Sequence, residues 1–176
     1  MNLWGQAELE RRLANIVKIG VIQEANHADK KLRIAMGNTQ TAWLPWPAEI
    51  GNNFIQWRPL RVGQQVVLVA PSGELNQAVI VGQLYGGGID APSTDAQQDL
   101  IQFEDGTQIE YDSANHCLTA NIKDTKIKAD QTSILLQNSA SRLDLTASAL
   151  KLESNGSSVE LDASGVKIKG VRVELN

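Results

Sequence analysis

The last third of the chain repeats itself, and that repeat limits the fold more than any other feature. Pairs of apolar residues spaced i, i+2 begin at Leu118, Ile127, Ile134, Leu143, Leu150, Val159 and Val166, with steps of nine and seven residues in alternation. The two steps sum to a period of 16, and the units 118–133, 134–149 and 150–165 align without a gap. A fixed period of this kind marks a repeat architecture rather than an ordinary globular core. Each unit holds two short runs of strict alternation, such as Leu143-Asp144-Leu145-Thr146-Ala147 and Val159-Glu160-Leu161-Asp162-Ala163. Period two places Leu143, Leu145 and Ala147 on one face of a strand and the polar residues on the other. Ser, Asn, Asp and Gly separate the runs at 137–141, 154–158 and 163–165. The segment is a stack of short strands with one dry face.

A single chain has little with which to close that face. From Leu118 onward there is no aromatic residue, proline, histidine or cysteine. Each strand offers two or three inward groups of Leu, Ile, Val or Ala, so any lumen must be narrow. A calcium-binding β-roll would need Gly- and Asp-rich nonapeptides, and this segment has only Gly156, Gly165 and Gly170. Three chains, each closing one side of a triangular prism, satisfy the pattern and also cover one another's strand edges. The expected inward core is Leu118, Ile127, Ile134, Leu143, Leu145, Leu150, Leu152, Val159, Leu161, Val166 and Ile168, with Ala120, Ala129 and Leu136. Val171, Val173 and Leu175 continue the alternation to the end.

The earlier residues have a different character. All eight aromatics lie at or before Tyr111 and all five prolines at or before Pro92. Residues 6–18 read as an amphipathic helix, because Leu9, Leu13, Ile16 and Val17 fall on one stripe. Glu8 and Glu10 in its early turns and Lys18 near its end suit the helix dipole. That stripe packs on its own domain or meets a partner or sister chain. From Val17 to Leu84 the signals are strands, separated by the turn clusters 26–30, 37–38 and 71–73. About five short strands in that space suit an oligonucleotide/oligosaccharide-binding (OB) barrel, with an SH3-like barrel as the nearest competitor. The expected organisation is a helical segment at 1–19, a barrel at 20–85, a linker at 86–99 and the strand stack at 100–176.

Charge and chemistry narrow the function. The formal net charge is -4, and residues 1–117 carry 8 basic against 13 acidic groups. An acidic barrel with only Arg58 and Arg61 near its tryptophans argues against nucleic-acid binding. One cysteine rules out a disulfide framework within the chain and a zinc site built on several thiolates. No apolar run reaches the ~18 residues of a membrane helix, and residues 1–20 lack a signal-peptide core. The expectation is a soluble product of a reducing compartment. His116 and Cys117 are neighbours, but adjacent strand residues point to opposite faces, so a catalytic dyad is not expected. Glu104-Asp105-Gly106-Thr107 reads as a hairpin turn rather than an acidic site. His27 and His116 read as surface residues, and no catalytic or metal-binding residue is assigned.

Four stretches together carry a family resemblance. Trp43-Leu44-Pro45-Trp46, Arg58-Pro59-Leu60-Arg61-Val62-Gly63-Gln64-Gln65-Val66, Pro71-Ser72-Gly73-Glu74 and Gly82-Gln83-Leu84-Tyr85 resemble the phage baseplate assembly protein V family. Ile101 to Asp112 resembles the opening of that family's β-helix, so the likeness spans about residues 15–176. It implies an all-β homotrimer: an OB-like barrel followed by an intertwined triple-stranded β-helix, with a short N-terminal α-helix. It further implies the central spike of a contractile tail, in a virion or phage-like particle, that docks on a baseplate hub and pierces the host outer membrane. Leu9, Leu13, Trp43, Trp46 and Trp57 are the hub-docking candidates. The alternative is an OB-type module that binds glycan or nucleic acid and rides on a β-helical stalk.

One departure stands out. Several members end in a His-x-His pair whose three copies hold iron at the apex. Here residues 170–176 read Gly-Val-Arg-Val-Glu-Leu-Asn, and the only histidines are His27 and His116. The expectation is no such iron site and no cofactor, with the tip closed by Val171, Val173 and Leu175 or by a separate tip-capping protein. Axial ions stay an open question. Nine or ten stacked strands at about 4.7 Å each give a length on the order of 45 Å.

Overall fold

Residues 17–26 alternate inward and outward side chains under a β-branched composition, and they form the first and longest strand of the fold. The computed structural model describes residues 3–174. The chain divides into two units, Met1–Ala91 and Pro92–Asn176, at a point inside the 86–99 stretch. Among the described residues no helix is long and apolar enough to cross a membrane.

The first unit opens with helix α1 (Leu3–Asn15), which both starts and ends earlier than the apolar stripe suggests. Val17 and Lys18 belong instead to β1 (Val17–Asn26), where they pair with Val69 and Leu68. The amide of Ala70 also donates to the carbonyl of Ile16, at 2.8 Å. Strand pairing of β-branched residues thus outweighs another helical turn. With the helix shifted toward its N-terminus, Glu8 and Glu10 are no longer in the first turn, and the dipole reading gives way to side-chain pairing. Glu8 accepts from Arg11 Nε at 2.8 Å and from Arg12 Nε at 2.6 Å, the i+3 and i+4 spacing of a helix face. The helix is held down at Gly73, whose φ of +74° is the left-handed region. A Cβ there would lie 2.4 Å from the Arg12 carbonyl oxygen, so only glycine allows this approach.

β1 sits at the centre of a six-stranded antiparallel sheet. Its members are β2 (Lys31–Met36), β3 (Thr39–Gln40), β4 (Leu44–Pro45), β7 (Gln65–Val69) and β8 (Val79–Leu84). The order is β3-β2-β1-β7-β8, with β4 on β2. Register shifts at Ile22/Glu24 and at Val67/Leu68 mark the bulges that bend such a sheet. Alternate residues of β1, β2, β7 and β8 bury Ile22, Leu32, Ile34, Val66, Leu68 and Ile80, joined by Leu44, Leu60, Ala70 and Ala78. Thr41 is the buried polar residue of this core: its hydroxyl accepts from the Ile34 amide at 3.1 Å and donates to the Ala42 carbonyl at 2.7 Å. A separate hairpin, β5 (Glu49–Ile50) with β6 (Ile55–Gln56), pairs with no other strand among the described residues.

The second unit is a nine-stranded antiparallel meander in which each strand pairs with the next in sequence. It runs from β9 (Gln98–Gln102) and β10 (Gln108–Asp112) through β11 (Cys117–Ile122), β12 (Thr125–Ala129), β13 (Ser133–Asn138) and β14 (Ser141–Thr146). It ends with β15 (Ala149–Ser154), β16 (Ser157–Asp162) and β17 (Gly165–Lys169). From Cys117 the strands begin every eight residues. The turns carry the 16-residue period. At one end Lys123, Ser139 and Asn155 each take a φ of 48–51° at the first position of a two-residue turn, and Asn155-Gly156 is the pair most suited to it. At the other end Asp130, Thr146 and Asp162 fold over their own turns. Each accepts at least one backbone amide, from Ser133, Ala149 and Ser164 respectively, at 2.7–3.1 Å.

Register sorts the inward residues into columns. A central column runs through Ile101, Ile109, Ala120, Ile127, Leu136, Leu143, Leu152, Val159 and Ile168. On one side of it Leu118, Ala129, Ile134, Leu145, Leu150, Leu161 and Val166 form a second apolar column. On the other side Thr125, Asn138, Ser141, Ser154 and Ser157 form a column of hydroxyls and an amide. Asn138 Nδ2 donates to Thr125 Oγ1 at 2.5 Å, and the hydroxyls of Ser141 and Ser154 lie 2.8 Å apart. On the reverse face Asp144 stands opposite Lys151, Lys151 opposite Glu160 and Glu160 opposite Lys167, a pattern of opposite charges that supports this register.

Candidate functional site

The two units differ in one respect that decides what the protein can do. The first has a closed core, whereas among the described residues none after Ile80 is buried. Nine strands therefore make a sheet one layer thick, and among the described residues its apolar columns face nothing else within that unit. Burying a Leu or Ile side chain is worth about 1.5–3 kcal/mol, so leaving both columns open forgoes most of what holds a domain together. The register puts every residue of the expected core, from Leu118 to Ile168, on that one face. Val171 is fully exposed and Val173 half-exposed beyond β17, and Leu175 lies outside the described residues.

The five hub-docking candidates fall into three places rather than one. Leu9 and Leu13 are exposed on α1. Trp46 and Trp57 stack at 5.1 Å, and His27 tilts against Trp46 at 5.3 Å. Trp43 stands apart beneath the Arg33 guanidinium, 4.9 Å from its ring centre. Trp46 also packs against the barrel core, leaving Trp57, 51% exposed, as the open end of the stack. His27 is exposed, as expected of a surface residue, and adds one ring to this aromatic cluster. Sequence reasoning missed the β5–β6 hairpin, which displays Ile50, Phe54 and Ile55, the last 83% exposed. Its signal was present: Ile50 and Phe54 flank Gly51-Asn52-Asn53, a hairpin turn closed by the Gly51 amide on the Phe54 carbonyl at 2.9 Å.

Several charged groups serve turns and helix pairing. Hydrogen bonds from Arg11 and Arg12 pull Glu8 down to about 2. Lys128, then the amide and hydroxyl of Thr132, hold Asp130 well below the usual carboxylate range. Lys167 and Ser164 do the same for Asp162. Asp105 accepts the Thr107 amide at 2.9 Å inside the β9–β10 turn, where Gly106 has a φ of +85°, so this acidic stretch is the hairpin that Asp-Gly calls for. His116 closes the β10–β11 turn at a φ of 48°, and the Cys117 sulfur sits 3.6 Å from the Thr119 hydroxyl.

A bent, bulged barrel followed by a one-layer ladder of eight-residue strands defines a class of protein, and residues 18–85 match the family model described as the type VI secretion system/phage-baseplate injector OB domain. Over those residues the chain belongs to the phage baseplate assembly protein V family. Among known proteins it is similar to the spike protein of Escherichia phage P2, with 33% identity over 123 residues. That match covers 69% of this chain and 58% of the relative, so the chain spans less than two thirds of the relative's length.

Proposed function

We propose that three copies of this chain assemble into the central spike of a contractile tail, dock on the baseplate hub through the first unit, and pierce the host outer membrane mechanically. The observation that carries this reading is the single-layer sheet: nine strands with a continuous apolar face and no buried residue, joined to a domain of the injector OB type. Three such sheets around one axis give each apolar face two others to pack against and leave the charged faces in water. Nine strands at about 4.8 Å spacing make the ladder about 38 Å long, longer than the ~30 Å hydrocarbon core of a bilayer. Every strand between β9 and β17 pairs on both sides within the chain, so along these strands assembly adds side-chain burial rather than strand pairing. Exposed Leu9 and Leu13, the Trp46–Trp57 stack and the β5–β6 hairpin supply the apolar anchors for a hub. The role needs stiffness and no catalysis, and it calls for no cofactor. A separate tip-capping protein would cover Val171 and Val173.

Sedimentation of the purified protein should give three chains per particle, and labelled protein in assembled particles should lie at the distal centre of the baseplate. Label on fibres, sheath or capsid would end this reading. The stack that ends in exposed Trp57 is also what a glycan-binding module would present. Titratable affinity of the protein for oligosaccharides, lost on Trp57→Ala, would favour that alternative.

A further inference from the structure

The stretch expected to be a linker, 86–99, is folded at both ends. Three successive glycines would suit a flexible tether, yet the Gly86 amide donates to the Ile89 carbonyl at 2.8 Å and the Ile89 amide to the Gly86 carbonyl at 3.1 Å. Between them Gly87 and Gly88 take φ of +64° and +91°, the positive pair that such a two-residue turn demands. The turn also sits tight on the barrel. A Cβ on Gly86 would lie 2.5 Å from Gln65 Oε1, and one on Gly87 2.9 Å from the Gly63 carbonyl oxygen. Gly63 is itself fixed, because its amide donates to the Ile22 carbonyl at 2.8 Å.

The far end folds onto the start of the ladder. The Ser93 hydroxyl donates to Gln98 Oε1 at 2.8 Å and accepts from the Asp95 amide at 3.1 Å. The Asp95 carboxylate accepts from the Gln97 amide at 2.9 Å, and its carbonyl accepts from the Gln98 amide at 3.3 Å. Ser113, in the β10–β11 turn, donates to the Gln97 carbonyl from both its amide and its hydroxyl, each at 2.9 Å. Between these folded ends stand Asp90, Ala91 and Pro92. Among the described residues these three make one hydrogen bond, from the Ala91 amide to the Asp90 carboxylate at 2.8 Å. The division between the two units falls here as well.

We propose that the units are connected by a three-residue joint, Asp90–Pro92, rather than by a tether over all of 86–99, and that this joint passes load from the first unit to the ladder. The load-bearing use rests on the spike reading above; the boundaries of the joint do not. Pro92 fixes its own φ near −65° and holds Ala91 to extended backbone, so little freedom is left in the joint. The four Cα steps from Ile89 to Ser93 span at most about 14 Å, against about 50 Å at full stretch for a tether over 86–99. A slack tether would take up a displacement before the ladder moved. A joint this short moves the ladder almost from the start.

Hydrogen exchange read at single amides in the full chain, with Gly-Gly inserted at three places, tests the boundaries. In the unmodified protein the amides of Gly86, Ile89, Gln98 and Ser113 should exchange at least ~10-fold more slowly than that of Ala91, whose acceptor is an exposed side chain. Insertion between Ala91 and Pro92 should leave those rates unchanged. Insertion between Gly87 and Gly88 should speed Gly86 and Ile89 only, and insertion between Ala96 and Gln97 should speed Gln98. Fast exchange throughout 86–98 in the unmodified protein, or lost protection at Ile89 or Gln98 on the Ala91–Pro92 insertion, would overturn the joint. Its load-bearing use is tested in assembled particles by lengthening the Ala91–Pro92 junction with about ten Gly and Ser residues, which restores a slack tether. Baseplate incorporation should be unchanged and delivery into cells should fall about 10-fold or more, as slack absorbs the stroke. Delivery at the parent level would overturn the load-bearing use while leaving the boundaries intact. Label away from the baseplate would sink the spike reading and leave the exchange pattern untouched.

Discussion

Replacing Leu145 with Asp separates a lone sheet from an assembled one, because the two predict costs of different size. Leu145 lies on β14 between Ile134 of β13 and Leu150 of β15, and it is 42% exposed within its own chain. In a free sheet the change gives up part of a ~1.5–3 kcal/mol burial and a strand preference on a scale of ~1 kcal/mol, about 2 kcal/mol in all. In a closed trimer the remaining surface is buried too, and each copy puts an unpaired carboxylate into a dry seam at a cost of several kcal/mol. Three copies together lose on the order of 10 kcal/mol or more, comparable to the whole stability of a domain. Leu135→Gln is the matched control, since Leu135 sits on the reverse face between Lys128 and Asp144. Sedimentation velocity and denaturant melts should show Leu145→Asp monomeric or much weakened at pH 7, and Leu135→Gln trimeric within about 1 kcal/mol of the parent. A carboxyl in that seam has its folded-state pKa raised by desolvation, so acid should partly restore the trimer as pH falls toward the carboxylate range. A Leu145→Asp trimer with an unchanged melt at pH 7 would refute the assigned face.

Two more outcomes test the first unit. Thr41→Val removes the acceptor that satisfies the buried Ile34 amide, and should destabilise the barrel by about 1–3 kcal/mol in a denaturant melt with little change in slope. Glu8 has its folded-state pKa depressed to about 2 by Arg11 and Arg12, so its contribution is present above the unfolded value near 4.5 and is lost as pH falls from there toward 2. Helix content followed by circular dichroism should fall over that window, and Glu8→Gln should show the weakened helix already at pH 7 with the acid step gone.

The repeat was legible because alternation and turn composition are both local. The alternating steps of nine and seven residues have a simple cause in the meander. Strands start every eight residues, but successive strands run in opposite directions and one flanking inward column is polar, so the first inward apolar residue is the second of one strand, as Leu118 in β11, and the third of the next, as Ile127 in β12 after inward Thr125. The helix boundary was misplaced because Val17 satisfies both a helical stripe and a strand. Only the pairing partner Val69, 52 positions away, decides between them. The turn positions Lys123 and Ser139 were also illegible. Neither residue type favours a left-handed backbone, and the equivalent Asn155 shows that the ladder, not the residue, imposes it. Trp43, Trp46 and Trp57 looked like one group in sequence. Their separation comes from Arg33 and His27, contributed by β2 and by the β1–β2 turn, which no local pattern announces.

The constant eight-residue step has a consequence for how such a chain can vary. A segment of 16 residues is two strands and two turns that touch only their immediate neighbours, so a copy can be inserted or lost without disturbing register elsewhere. Each copy changes the ladder by about 9–10 Å while leaving both ends as they were. Length then becomes a discrete, nearly neutral variable, set by copy number, with no new packing solution needed at any value.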